Sequence, residues 1–419
     1  MTQKIKYLII FLCALSYNSY AQNLPLNPSS ITHPVFASKG MVATQHYLAS
    51  EVGENILAKG GNAYDASIAV GFALAVVLPR AGNIGGGGFM VMHDASSKRS
   101  FSIDYREKAP LKASRDMYLN QDGTVNTSRS TLGYLAIGVP GTVYGMWEVH
   151  KKFGSMPWNE LIQPSIDLAR NGFVMSPYMT STLNRYHKKL SKFEPTKSIF
   201  YKNYPIDFNT LLIQEDLAKT LTLISQNGVA GFYEGEVADK IVNAMEDNGG
   251  LISHRDLKKY RPVWREPLKS TYQNLEIITM GPPSSGGVHL IQMLNILEKH
   301  NLKALGHNNP RYVALLTEVM KYAYADRSKY LGDPDFFEVP VSQLTSKEYA
   351  NTINQRLNLY NFMIPAPIPS TSITPGQYFP KESLETTHYS IADQYGNIIS
   401  NTYTLNSAYG SGVTIEGTG

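Results

Sequence analysis

Thr386 and Thr404 are the residues of this chain most suggestive of covalent chemistry, as a hydroxyl nucleophile and the hydroxyl that partners it. The runs Thr386 to Ala392 and Ile398 to Leu405 are rich in Thr, Tyr and Ile and flank a turn cluster, which predicts a β-hairpin. If Gln394, Tyr395 and Gly396 form its loop, Gly396 supplies the left-handed residue of a type I turn with a bulge. Asp393 then faces Asn397, and counting outward sets Thr386 opposite Thr404, with Cβ atoms about 5 Å apart. Asn406, two residues on, keeps the same face. His388 also shares the face of Thr386 and is a candidate base, although a strand histidine is more often structural.

The elements around this hairpin are those of a soluble globular protein. The chain has 419 residues, 43% hydrophobic and 17% charged, enough for one large core or two domains. Its 38 basic and 34 acidic residues leave a net charge of +4, with no dense basic run interleaved with aromatics, which argues against nucleic acid as a partner.

Residues 1–21 read as a secretory signal: Lys4 and Lys6, an apolar run from Leu8 to Leu15, and Ser19-Tyr20-Ala21 as the cleavage site before Gln22. The run is far shorter than the roughly 20 apolar residues of a membrane span, so an exported protein, periplasmic or secreted and with no stable membrane anchor, is expected. The single cysteine, Cys13, lies within that signal. The mature fold must therefore rest on a hydrophobic core without disulfides.

A helix over Ser50 to Lys59 is closed by Gly60-Gly61, and Asn62 caps a second helix from Ala63 to Leu78, apolar on nearly every side and so buried. Gly85 to Gly88 lead into a strand at Phe89 to Met92, which returns through Ser100 to Tyr105. The glycine run permits close backbone approach, to a neighbouring strand or to a ligand, but lacks the phosphate-loop and dinucleotide spacings. The middle is mostly helical, with helices over Gly141 to Lys152 and around Leu217, Leu221 and Ile224, a capping box at Ser253 and Asp256, and a long helix opened by Asn309-Pro310. Pro365, Pro367, Pro369, Pro375 and Pro380 then mark an extended stretch suited to chain cleavage just before Thr386.

Neither a Gly-x-Ser-x-Gly elbow nor a zinc-ligand spacing among the ten histidines is found, and neither metal nor cofactor is called for. A threonine hydroxyl needs a base close by, and its own α-amine can serve if the chain is cut before it. The pKa of an α-amine is about 7.7 to 8.0 against about 10.4 for lysine, so about 10 to 20% of it is free base near neutrality. Cleavage before Thr386 would thus create the catalyst.

At this point the sequence resembles the γ-glutamyltranspeptidases, or glutathione hydrolases, a family of N-terminal-nucleophile hydrolases. The likeness runs from about His33 to Gly419 and rests on Gly60-Gly61-Asn62-Ala63 with Asp65-Ala66, Gly82-Asn83-Ile84-Gly85-Gly86-Gly87-Gly88-Phe89, and Asp104-Tyr105-Arg106-Glu107-Lys108-Ala109-Pro110. It continues through Gly138-Val139-Pro140-Gly141-Thr142-Val143, Pro282-Pro283-Ser284-Ser285-Gly286-Gly287, Ala325-Asp326-Arg327 with Leu331-Gly332-Asp333, and the hairpin itself.

The resemblance implies an α+β fold, the four-layer αββα sandwich, and a chain divided into 1–21 signal, 22–385 large segment and 386–419 start of the small segment, the two segments pairing after cleavage. It implies that Thr386 attacks the carbonyl of Glu385 to split the chain, then the γ-glutamyl amide of glutathione or a related compound, passing the acyl group to water or to an acceptor amino acid or peptide. Thr404 would hold the Thr386 hydroxyl, and Asn406 would contact the α-amino or α-carboxylate group. Arg106, which beside Glu107 reads on its own as an ordinary surface pair, would grip the substrate α-carboxylate with its planar fork. Ser284 to Gly287 resembles an anion nest but is read as a helix start.

In the family the chain continues beyond the hairpin with an Asn-Asn-x-Met-Asp-Asp stretch, a Ser-Ser pair and an oxyanion-hole Gly-Gly pair. This sequence ends at Glu416-Gly417-Thr418-Gly419, so the expectation is a sandwich incomplete at its C-terminus and an inactive or barely active copy. A related amide acylase and a non-catalytic secreted remnant are the alternatives.

Overall fold

A computed structural model describes residues 35–357 and 386–419. The signal segment, the proline-rich stretch and Glu385 lie outside the described residues. Residues Lys39–Gly419 form one compact unit.

The chain enters on strand β1 (Gly40–Ala43), followed by helices α1 (Tyr47–Ala58) and α2 (Ala63–Val77). α1 starts at Tyr47 rather than at Ser50, because the Thr44 hydroxyl accepts the His46 amide (3.1 Å) and the His46 carbonyl then accepts the Ser50 amide (3.1 Å). α2 begins with a capping box: the Asn62 side chain accepts from the Asp65 amide and the Asp65 carboxylate accepts from the Asn62 amide. All of its 15 residues are buried, as a helix apolar on nearly every side requires, with Asp65 in the capping box and the Ser67 hydroxyl donating to Tyr64 O at 2.8 Å.

Strands β2 (Gly87–Asp94) and β3 (Arg99–Asp104) come next, then α3 (Thr142–Phe153), α4 (Trp158–Asn171), α5 (Pro177–Leu190), α6 (Glu215–Asn227) and α7 (Gly235–Asn248). Leu217, Leu221 and Ile224, spaced at helical period on α6, are all buried. A short helix, His254–Lys259, opens with the Ser253–Asp256 capping box and leads into β4 (Val263–Arg265).

Beyond it, β5 (Leu268–Tyr272) and β6 (Leu275–Thr279) form their own two-stranded sheet. α8 (Gly286–Leu297), α9 (Pro310–Tyr330) and α10 (Lys347–Arg356) enclose a second, smaller core around Ile296, Leu315, Val319 and Ile353. The chain is described again at β7 (Thr387–Asp393) and β8 (Ile398–Thr404).

The main sheet has six strands in the order β1-β7-β8-β2-β3-β4, every neighbouring pair antiparallel. The hairpin that closes the sequence therefore sits in the middle of a sheet whose other strands come from the first 265 residues. Its register is the expected one: Ile398 pairs with Ala392 and Tyr403 with Thr387, Gly396 has φ of 90°, and the Asp393 amide donates to Asn397 O at 3.1 Å.

Alternation of side chains gives the sheet one dry face. Thr387, Tyr389, Ile391, Ile399, Tyr403, Met90, Met92 and Ile103 are each within 1% of full burial. Tyr389 and Tyr403 reach through this face to α2, their hydroxyls donating to the carbonyls of Ser67 and Gly71, each at 2.8 Å. Each ring thus buries apolar area while its polar end is satisfied. The turn is fixed to the same helix: Asp393 accepts the amides of Tyr395 and Asn397 (both 2.9 Å) through one oxygen. Through the other it accepts the Asn397 side-chain amide and the Ala63 amide (both 2.8 Å). The last of these places a carboxylate at the N-terminus of α2, where the helix dipole favours negative charge.

Candidate active site

The hairpin's open end carries the candidate chemistry. Thr386 lies immediately before β7, one step beyond the Thr387–Tyr403 pair, so that continuing the ladder brings it to Thr404. The Thr404 hydroxyl donates to Leu405 O at 2.5 Å.

Close approach on the neighbouring strand follows from the glycine run. Thr404 pairs with Gly87 and Tyr403 with Gly88. A Cβ at Gly86 would lie 2.5 Å from Thr404 O, at Gly87 2.6 Å from Tyr105 O, and at Gly88 2.4 Å from the Tyr403 Cβ. No side chain fits at these positions, so the run exists to let three backbone segments meet. Strand contact, one of the two readings of the run, is observed at Gly86 to Gly88, and Gly85, Gly87 and Gly88 also line the cavity described below.

Two further motifs lock that meeting point. The Asn83 side-chain oxygen accepts the Gly86 amide (2.9 Å) and the Thr142 hydroxyl (2.6 Å). The Gly86 carbonyl accepts the amides of Gly141 and Thr142 at 2.8 and 3.2 Å. On the other flank, Lys108 and Val139 exchange backbone hydrogen bonds of 3.2 and 2.8 Å, which holds the segment bearing Arg106 against Gly138 to Pro140.

These segments wall a cavity of about 700 Å³ whose lining includes Arg106, Thr386, Thr404 and Asn406. Four residues drawn from opposite ends of the chain are thus brought to one opening. The Arg106 side chain is exposed, its guanidinium 5.8 Å above the ring of Phe89. Asn406 is exposed just beyond β8, which ends at Thr404 because the chain turns away through Ser407, at φ of 63°. Ser284 also borders the cavity, while Ser285 is the N-cap of α8, so the Ser-Ser-Gly-Gly run is a helix start, as expected, with one hydroxyl at the rim.

Glu107 also lines the cavity, and burial raises its carboxyl pKa despite the neighbouring Arg106. His388 stands on the same face as Thr386, but its ring is already engaged: Nδ1 is 2.7 Å from the Thr402 hydroxyl and Nε2 3.1 Å from that of Ser390. Burial lowers its pKa. A neutral imidazole held by two hydroxyls fits the structural role better than that of a base.

The segment after the hairpin is tied down by side chains from the helices. Lys189 donates to the carbonyls of Ala408 and Gly410 at 3.0 and 2.6 Å, Thr196 to Gly412 at 2.9 Å, and Thr220 to Thr418 at 2.7 Å. These contacts, and the Asn83–Thr142 clamp, have no signature at the level of local spacing.

The family model described as Gamma-glutamyltranspeptidase matches residues 49–419. The chain belongs to this family. The glutathione hydrolase proenzyme of Escherichia coli (strain K12) is 44% identical over 385 residues, which is 91% of this chain and 65% of that protein. The chain thus spans a little under two thirds of the length of that γ-glutamyltranspeptidase relative.

Among solved structures, the γ-glutamyltranspeptidase of Helicobacter pylori superposes with a TM-score of 0.77 at 44% identity, covering 84% of this chain and all of that one. The cephalosporin acylase of Bacillus halodurans superposes with a TM-score of 0.78 at 26% identity, covering 94% of this chain and 72% of that one. The α+β fold of the N-terminal-nucleophile hydrolases, expected from the motifs, is the fold of this family member. Among the described residues no helix is long and apolar enough to cross a membrane.

Proposed function

We propose that this γ-glutamyltranspeptidase family member transfers the γ-glutamyl group of glutathione and related amides to water or to an acceptor amino acid or peptide. In this reading Thr386 first attacks the Glu385 carbonyl: its oxygen bonds to the carbonyl carbon, the Glu385–Thr386 amide breaks, and the resulting ester is hydrolysed. Thr386 is left with a free α-amine that takes the hydroxyl proton in each later turnover. The γ-glutamyl carbonyl then forms an ester with Thr386, the amine leaves with that proton, and water or an acceptor amine releases the acyl group.

Thr404 orients the nucleophile, Arg106 pairs with the substrate α-carboxylate, and Asn406 contacts its α-substituents. Export through the 1–21 signal, and pairing of a large segment 22–385 with a small segment beginning at Thr386, belong to the same reading.

The observation that carries it is the convergence of Arg106, Thr386, Thr404 and Asn406 on one cavity. A guanidinium fork is what a free α-carboxylate calls for. A second reading, an amide acylase with another acyl group, is favoured by the likeness to the cephalosporin acylase. Turnover of a γ-glutamyl anilide against a glutaryl or adipyl anilide separates the two. Release of amine only from the γ-glutamyl compound is expected, and preference for an acyl group without the α-amino acid end would favour the acylase.

A further inference from the structure

Arg106 does not stand alone. Asp104, the last residue of β3 and only 7% exposed, accepts the Arg106 amide through Oδ1 at 3.0 Å. Its Oδ2 accepts from Arg265 Nε at 2.9 Å and forms an ion pair with Nη2, also at 2.9 Å. Arg265 ends β4, pairs with Ser102 across the sheet, and accepts the Ser102 hydroxyl on its carbonyl at 2.7 Å. The far side of its guanidinium makes a fork-to-fork pair with Asp335, Nη1 and Nη2 lying 3.0 and 3.1 Å from the two carboxylate oxygens. Asp335 sits just after the Leu331-Gly332-Asp333 motif, for which the site described above has no use. The carbonyl of Arg106 is held as well, by the Tyr260 hydroxyl at 2.8 Å.

We propose that Asp104, Arg265 and Asp335 form a positioning clamp that aims Arg106 at the substrate α-carboxylate. The inference rests on the carboxylate-binding reading of Arg106 given above. Two physical effects carry it. With amide and carbonyl of Arg106 both fixed to buried or half-buried partners, the direction in which its side chain leaves the backbone is set before substrate arrives, which reduces the ordering cost of binding. In addition, Arg265 engages the Asp104 carboxylate, the charge nearest in sequence on β3, and so keeps it from competing with substrate for the Arg106 guanidinium. Asp335 completes the fork geometry of Arg265 and anchors the segment after α9 to the main sheet.

The test compares two donors in the full-length protein: a γ-glutamyl anilide and the same anilide with its α-carboxylate converted to a carboxamide. Arg106→Gln should erase the preference for the carboxylate donor. Asp104→Asn should lower that preference about tenfold, through KM for the carboxylate donor, a part of the roughly 100-fold that a full 1 Å misplacement can cost. KM for the carboxamide and cleavage before Thr386 should not change. Should Asp104→Asn fail to fold, Asp335→Asn on the more exposed end of the clamp should give the same pattern at smaller size. Wild-type preference in both aspartate variants, with loss only in Arg106→Gln, would overturn the clamp. An unchanged preference in Arg106→Gln would instead overturn the role given to Arg106, and the clamp with it.

Discussion

Gly88 and Tyr403 face each other across β2 and β8 so closely that a Cβ on the glycine would lie 2.4 Å from the Cβ of the tyrosine. This contact sets how near β8, which ends at Thr404, comes to β2, whose other neighbour β3 leads to Arg106. The glycine run thus brings the strands of the site together through backbone proximity, while Gly85, Gly87 and Gly88 also line the cavity.

Gly88→Ala should therefore cost more than a surface change. Overpacking a tight core contact destabilises by about 1 to 3 kcal/mol. Thermal unfolding should show this loss, together with reduced turnover, since Thr404 shares the displaced strand. An equal change at Gly123, a positive-φ turn glycine with nothing near its Cβ, would disturb folding through backbone strain without selective damage to the site.

The Asp393 carboxylate is shared among the hairpin turn and the first amide of α2. Replacing it with alanine leaves several buried donors without an acceptor, and loss of a charge-assisted bond alone costs about 1.5 to 3 kcal/mol. The variant should unfold at markedly lower denaturant, and hydrogen exchange should report early opening of β7 and β8 together. Exchange confined to the turn residues would contradict the link to α2.

His388 supplies a pH signature. Burial lowers its folded pKa below the ordinary value of about 6.5. A depressed pKa means stability that is fully present above the unfolded value and lost as pH falls through the folded one. The difference in Tm between wild type and His388→Asn should be constant above about pH 6.5 and shrink on further acidification. A difference that grows on acidification would mean that the charged form is the one stabilised.

Thr404→Val and Thr404→Ser separate hydroxyl from shape. The valine keeps the branched packing and loses the proton donor, so turnover should fall about 100-fold or more if the hydroxyl orients the nucleophile. The serine should retain most of the activity. Equal losses in the two would assign Thr404 a packing role.

Much of this arrangement was legible in local sequence. The Asn62 cap, the Ser253–Asp256 box, the largely apolar α2 and the Gly396 turn each follow from short-range chemistry, and the hairpin register derived from that turn is the one observed. What sequence alone did not disclose are contacts between distant segments: Asn83 with Thr142, Tyr105 with Asn401, Arg265 with both Asp104 and Asp335. Such pairs carry no periodicity, because tertiary packing rather than spacing creates them. The start of α1 was missed for a smaller reason, the Thr44 hydroxyl taking the place of a conventional cap. The central place of β7 and β8 in the main sheet was likewise invisible, since strand order is not a local property.

The account stands or falls on Thr386 becoming an N-terminal residue. Intact mass and N-terminal sequencing of the purified full-length protein, alongside Thr386→Ala, measure this directly. The account predicts a new terminus at Thr386 in the wild type and an uncut chain in the variant. An uncut wild-type chain that still releases amine from a γ-glutamyl anilide, or cleavage that persists in Thr386→Ala, would contradict it.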